Sequence, residues 1–159
     1  MQNLPEETRS FINAFLSEPL IARVATADKS GQPHVVPVWF AWDGSALWIS
    51  AFSSTRKVKD LEENPLISVA IDETTADDST RAVILEGKAE LLRAPIEFLK
   101  RQFTWIYARY VGEDRVHEAK YQEWINDPEN TLIKLSPTKV YTDRKSTRLN
   151  FSHESPSRM

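Results

Sequence analysis

Cysteine is absent from all 159 residues, so the chain has no disulfide framework and no thiolate to serve as nucleophile or metal ligand. Glycine is scarce: the four glycines, at 31, 44, 87 and 112, can build neither a G-x-G-x-x-G turn nor a Walker loop. The three histidines, 34, 117 and 153, are scattered, which leaves no metal-ligand spacing and no Ser-His-Asp type arrangement. No apolar run approaches the ~20 residues needed to span a bilayer. No basic-then-apolar leader opens the sequence, and a cytoplasmic location is the expectation. An excess of positive charge is also lacking. Twenty Lys and Arg against 23 Asp and Glu give a formal charge of −3, which argues against nucleic acid or an anionic membrane as partner. Any phosphate partner must therefore be small and locally held. With 41% hydrophobic and 27% charged residues, the composition is that of one globular domain with a sizeable core.

The informative stretch runs from Pro33 to Pro65. Residues 33–42 and 45–52 are rich in valine, isoleucine and tryptophan, and Asp43-Gly44 between them predicts a two-residue type I′ hairpin turn. Then comes SSTRKVKDLEENP, a short helix over about 55–63, with Ser53, Ser54 and Thr55 as N-cap candidates and Asn64-Pro65 as the stop. Arg56, Lys57 and Lys59 sit at its start, where the amide dipoles are already positive and Asp or Glu would be expected. Two readings fit. In one, a phosphate rests on the free N–H groups, the hydroxyls of Ser53 and Thr55, and the charges of Arg56 and Lys57. In the other this is a solvated basic face paired with Glu62 and Glu63.

Around this centre, residues 4–17 predict an amphipathic helix with Phe11, Ile12, Phe15 and Leu16 on one stripe. Residues 21–27 predict a strand that turns at Asp28–Gly31 into the hairpin. A strand at 66–72 and a polar loop at 73–80, its Asp77-Asp78 solvated, lead to a long bent strand at 81–92. Gly87 in that strand marks a bulge or a close backbone approach. Residues 95–127 predict a helical hairpin broken at Gly112, and 131–142 a last strand kinked at Ser136-Pro137. The sum is a mainly β, α+β fold of about six antiparallel strands with three or four helices, of a kind that closes into a barrel. Residues 1–143 form the expected domain. The stretch 144–159, polar and aperiodic, resembles translated sequencing-adapter read-through and is expected to lie outside the fold. Catalytic side chains are not apparent, so any chemistry is expected to come from a cofactor.

Three segments carry a family resemblance: ARVATADKSGQPHVVPVWF, DGSALWISAFSSTRKVKDLEENPLISVAID and ILEGKAEL, with IKLSPTKVYT after them. Together they resemble the pyridoxamine 5′-phosphate oxidase-like split-barrel flavoproteins. The resemblance implies a six-stranded antiparallel split barrel with flanking helices, a homodimer, and FMN or the deazaflavin F420 in the cleft between subunits. It implies that Arg56 and Lys57 hold the cofactor phosphate with Ser53 and Thr55, and that Ser50 lies near the ribityl chain or phosphate. It further implies that Val36, Pro37, Val38 and Trp39 line the isoalloxazine ring, Pro37 without an N–H to offer. Trp105 is the candidate for a contact near the ring from the partner subunit. Authentic pyridoxamine phosphate oxidases have an arginine where this chain has Val35, and a C-terminal Arg-x-His that this chain lacks. Vitamin B6 oxidation is therefore not implied. The expectation is an FMN-dependent oxidoreductase passing hydride between a reduced donor and a small organic acceptor. An F420-dependent reductase and a non-catalytic flavin- or haem-binding protein are the alternatives.

Overall fold

The computed structural model describes residues 1, 3–77 and 79–144. It opens with α1 (Glu6–Leu16), whose Ile12, Phe15 and Leu16 are buried while Glu6 and Glu7 favour the positive helix start. Then follow β1 (Ala22–Ala27), β2 (Pro33–Val38), β3 (Ala41–Trp42), β4 (Leu47–Phe52), α2 (Arg56–Glu63), β5 (Leu66–Thr74) and β6 (Thr80–Leu92). The chain continues through α3 (Ile96–Val111), a 3-10 turn at Arg115–His117, α4 (Ala119–Ile125), β7 (Asn130–Leu135) and β8 (Lys139–Asp143).

All strand pairs are antiparallel, in the order β2-β1-β5-β6-β7-β4-β3, with β8 on β6. The expected six strands become eight because two of them break. Residues 33–42 divide into β2 and β3 around Trp39-Phe40, and 131–142 divide at Ser136–Thr138, where proline cannot donate to a ladder. The resulting pieces serve different half-sheets. The first part of β6 pairs β8 from Ala82↔Asp143 to Glu86↔Lys139, and its second part pairs β7 from Ala89↔Leu135 to Leu92↔Leu132. Gly87 stands where the strand passes between them. A Cβ there would lie 3.0 Å from Leu135 Cδ1 and 3.3 Å from the Ser136 carbonyl oxygen, which is the close approach expected of this glycine. This split of one long strand between two half-sheets makes the split barrel.

The hairpin turn forms one residue later than expected. Trp42 pairs with Leu47, Gly44 takes φ +96°, and the Asp43 amide donates to the Ala46 carbonyl at 3.2 Å. Asp43 fixes it: its carboxylate accepts the Ser45 and Ala46 amides, the Ser45 hydroxyl and the Trp48 indole N–H. Two apolar cores result. One fills the barrel between α1, α2 and the strands, around Phe15, Phe40, Ile49 and Leu85. The other joins β4 and β7 to α3 and α4, with Leu99, Phe103, Ile106 and Tyr107 as its helical side. No helix among the described residues is long and apolar enough to cross a membrane.

Candidate functional site: the start of the second helix

The turn that delivers β4 into α2 is held by its own hydroxyls. Ser53 donates its amide to the Glu129 carbonyl at 2.8 Å, and its Oγ lies 2.9 Å from both that carbonyl and Thr131 Oγ1. Ser54 Oγ donates to Glu129 Oε2 at 3.2 Å, and Thr55 Oγ1 donates to the Phe52 carbonyl at 2.7 Å. Thr55 is the N-cap, but its side chain does not cap the helix. The Val58 and Lys59 amides both reach the Thr55 carbonyl, whereas the amides of Ser54, Arg56 and Lys57 find no acceptor among the described residues. Such open amides at a helix start are the usual donors to an anion.

The two basic side chains here differ. Arg56 is half exposed, with Nε 3.8 Å from Asp60 Oδ2. Lys57 is partly buried, burial pushes its pKa down, and it has no carboxylate or hydrogen-bond partner among the described residues. The second reading, in which this face pairs with Glu62 and Glu63, is not what forms among the described residues. Glu62 pairs with Arg93, and Glu63 accepts the Lys29 amide at 3.3 Å.

The remaining predicted residues fall into two further places. Val36 and Val38, on β2, turn inward against the barrel core, while Pro37 and its neighbour Val35 face out, Val35 at 61% exposure. β2 ends the sheet order, so its outer edge has main-chain groups without a strand partner among the described residues. Trp39 is taken up by α3: its ring stacks on Tyr110 at 4.7 Å and meets Tyr107 edge-on at 5.8 Å. Ser50 also faces this helical side, where burial pushes the Tyr107 phenol's pKa up and a hydrogen bond with Ser50 partly offsets the shift. Trp105 is half-buried on α3 and lines a cleft of about 390 Å³ with Lys100, Arg101 and Thr104. Ser53, Thr55, Arg56 and Lys57 are thus gathered in one turn. Val36 to Val38 lie on an edge strand, and Ser50, Trp39 and Trp105 belong to the helical layer.

A second cleft, of about 480 Å³, opens on the outer face of β1, β5 and β6, lined by Ala25, Ala27, Pro33, Leu66 and Gly87 and reaching Asn64 at the end of α2. That volume is in the small-molecule range. The described residues hold no group of three or more metal-ligating side chains. Two polar residues near these sites went unnoticed in the sequence. Asp60 is buried on α2, and Tyr110 donates to the Leu20 carbonyl at 2.6 Å while accepting the Phe40 amide at 3.1 Å. Asp60 had one signal, its place between Val58 and Leu61 on the apolar face of a very short helix.

Solved structures share this architecture. A conserved hypothetical protein from Mycobacterium tuberculosis aligns at TM-score 0.75 and 22% identity, over 92% of each chain. A protein described as an F420 reductase aligns at 0.64 and 22%, over 80% of this chain and 94% of its own. The haem storage protein of Vibrio cholerae aligns at 0.66 and 18%, over 86% and 93%. At these identities the likeness is one of fold. No curated protein matches the chain in sequence. The family model described as pyridoxamine 5′-phosphate oxidase matches residues 7–143, and by that match the chain belongs to the pyridoxamine 5′-phosphate oxidase family.

Proposed function

We propose that the protein is an FMN-binding oxidoreductase that works as a homodimer and passes hydride from a reduced donor to a small organic acceptor. The observation that carries this reading is Lys57, a cation partly withdrawn from water that has no counter-charge among the described residues, beside amides that have no acceptor among them. A phosphate would supply the charge and accept the amides together. The edge of β2 would offer main-chain groups to the polar rim of the ring, and Val36 and Val38 would keep that strand in place from behind. The redox step belongs to the flavin; this chain's part is to hold the phosphate, orient the ring and exclude water. F420 is the second reading, favoured by the structural neighbour that bears its name.

Val35 at 61% and Leu66 at 58% exposure stand out on the sheet surface, and Leu66 lines the apolar cleft. A second copy covering this face would bury them and supply the other wall of the cofactor site. Light scattering at micromolar concentration is expected to give twice the chain mass of 18.2 kDa. A monomer would end the shared-cleft reading. The function itself is tested by titrating FMN and F420 into the purified protein, then adding a reduced nicotinamide and following bleaching of the bound cofactor. Binding of neither cofactor would refute the proposal.

A further inference from the structure

Asp60 is only 4% exposed, on the face of α2 that also buries Val58 and Leu61. A carboxylate so far from water needs partners. Among the described residues the Thr26 hydroxyl of β1 donates to Oδ2 at 2.8 Å, and Arg56 Nε stands 3.8 Å from the same oxygen. The charge of Asp28, after β1, is also felt by Arg56. Ordinary Arg–Asp pairs four residues apart lie on the solvent face of a helix. Here the carboxylate lies against the barrel core, where an apolar residue would pack without the desolvation penalty. The neighbouring Lys57 has no such partner among the described residues. Two adjacent cations therefore reach the helix start in different states, Arg56 partly neutralised from behind and Lys57 without a carboxylate among the described residues.

We infer that Asp60 is a specificity-determining residue of the anion site: its buried negative charge, placed behind Arg56, reduces the advantage of a doubly charged phosphomonoester over a singly charged phosphodiester. The inference rests on the phosphate site proposed above and deepens it. A phosphomonoester end, as on FMN, carries about −1.5 to −2 at neutral pH, whereas a diester carries one charge. Arg56, Lys57 and the helix start together present about +2.5, of which Asp60 removes one unit. The two ligand classes thus feel Asp60 in proportion to their charge.

The test uses three ligands with the same ring: FMN, riboflavin 4′,5′-cyclic phosphate as the diester, and riboflavin. Each is titrated by flavin fluorescence into the wild type and Asp60→Asn. Asparagine keeps the volume and an oxygen for the Thr26 hydroxyl. The variant is expected to bind FMN on the order of fivefold to tenfold more tightly, the cyclic phosphate about twofold to threefold more tightly, and riboflavin unchanged. An unchanged ratio of FMN to cyclic phosphate affinity would overturn the inference, and so would weaker FMN binding, which would make Asp60 a mere support for Arg56. Should Asp60→Asn not fold, Arg56→Met and Lys57→Met carry the test. Lys57→Met is expected to lose at least about fivefold more FMN affinity than Arg56→Met, because Asp60 already occupies Arg56. Equal losses would overturn the inference while leaving the phosphate site standing. No loss in either variant would overturn both.

Discussion

Arg109, in the last turn of α3, and Lys57, in the first turn of α2, are both partly withdrawn from water, and burial pushes the pKa of each down. Around Arg109 both terminal nitrogens of the guanidinium meet carbonyls. Its guanidinium donates to the carbonyl of Phe40 and to those of Leu16, Ser17 and Glu18 at 3.0, 3.1 and 2.8 Å, and it lies over the Phe40 ring at 4.9 Å. Those carbonyls close the end of α1, where a helix leaves its acceptors open and favours a cation. Lys57 sits at the wrong end of its helix for the dipole and has no partner among the described residues. The contrast separates a cation that completes the fold from one that awaits something outside it.

The sharpest break of that comparison is the same substitution at both positions, methionine, which keeps an unbranched apolar stem and removes the charge. Arg109→Met strands the carbonyls that end α1 and the Phe40 carbonyl at the corner between β2 and β3. A loss of about 2–4 kcal/mol in unfolding free energy is expected, read from the urea midpoint at unchanged slope. FMN affinity in the folded fraction should hardly move. A loss within about 0.5 kcal/mol would mean that water serves those carbonyls equally well, and the two cations would no longer differ in kind.

Lys57→Met should give the mirror image. Without cofactor the protein should keep its stability or gain slightly, since a desolvated charge and its conflict with the dipole disappear together. FMN binding should weaken by about 1.5–3 kcal/mol, on the order of tenfold to a hundredfold. A loss of apo stability with unchanged FMN affinity would show that Lys57 belongs to the fold as Arg109 does.

These two cations also mark what the sequence could and could not reveal. Signals that act over a few residues were readable: the hairpin, the helix opened by Thr55 and stopped by Asn64-Pro65, and the basic start of α2 in conflict with its dipole. The turn slipped by one residue because Asp43 acts as an acceptor for the turn, leaving Gly44 to take the positive φ. The strand count rose because the breaks at Trp39-Phe40 and Ser136–Thr138 follow from which distant segments each piece pairs with. No local signal singles out Arg109, since its acceptors lie some 70 to 90 positions away. Trp39 likewise reads as strand, and only the packing of α3 shows its ring held by Tyr110. Residues 145–159 lie outside the described residues. Arg144, just before them, pairs with Glu7 at 3.2 Å and stands over the Phe11 ring.

The smallest expected effect concerns the anionic counterpart of Arg109. Burial works against the charge of Asp43, but hydrogen bonds from the Trp48 indole, the Ala46 and Ser45 amides and the Ser45 hydroxyl outweigh it and hold the carboxyl below its usual range. A carboxyl depressed in the folded state contributes stability that is present above its unfolded pKa, about 3.9, and is lost as pH falls through the lower folded value. In Asp43→Asn one oxygen remains for the two amides, but the position that accepts the Trp48 N–H at 2.8 Å becomes a donor. At pH 7 the variant should be less stable by a few tenths to about 1 kcal/mol, a figure kept small because the carboxylate is largely exposed. As pH drops below about 3.9 the gap between the two proteins should begin to narrow, and it should close once pH passes the lower folded value and the wild type carries a protonated Asp43 that resembles the amide. The substitution leaves the other acids in place, so the difference between the two urea midpoints, followed from pH 7 to pH 2, isolates this one group. A gap that stays constant across that range would mean that the turn is held by the shape of Asp43 and not by its charge.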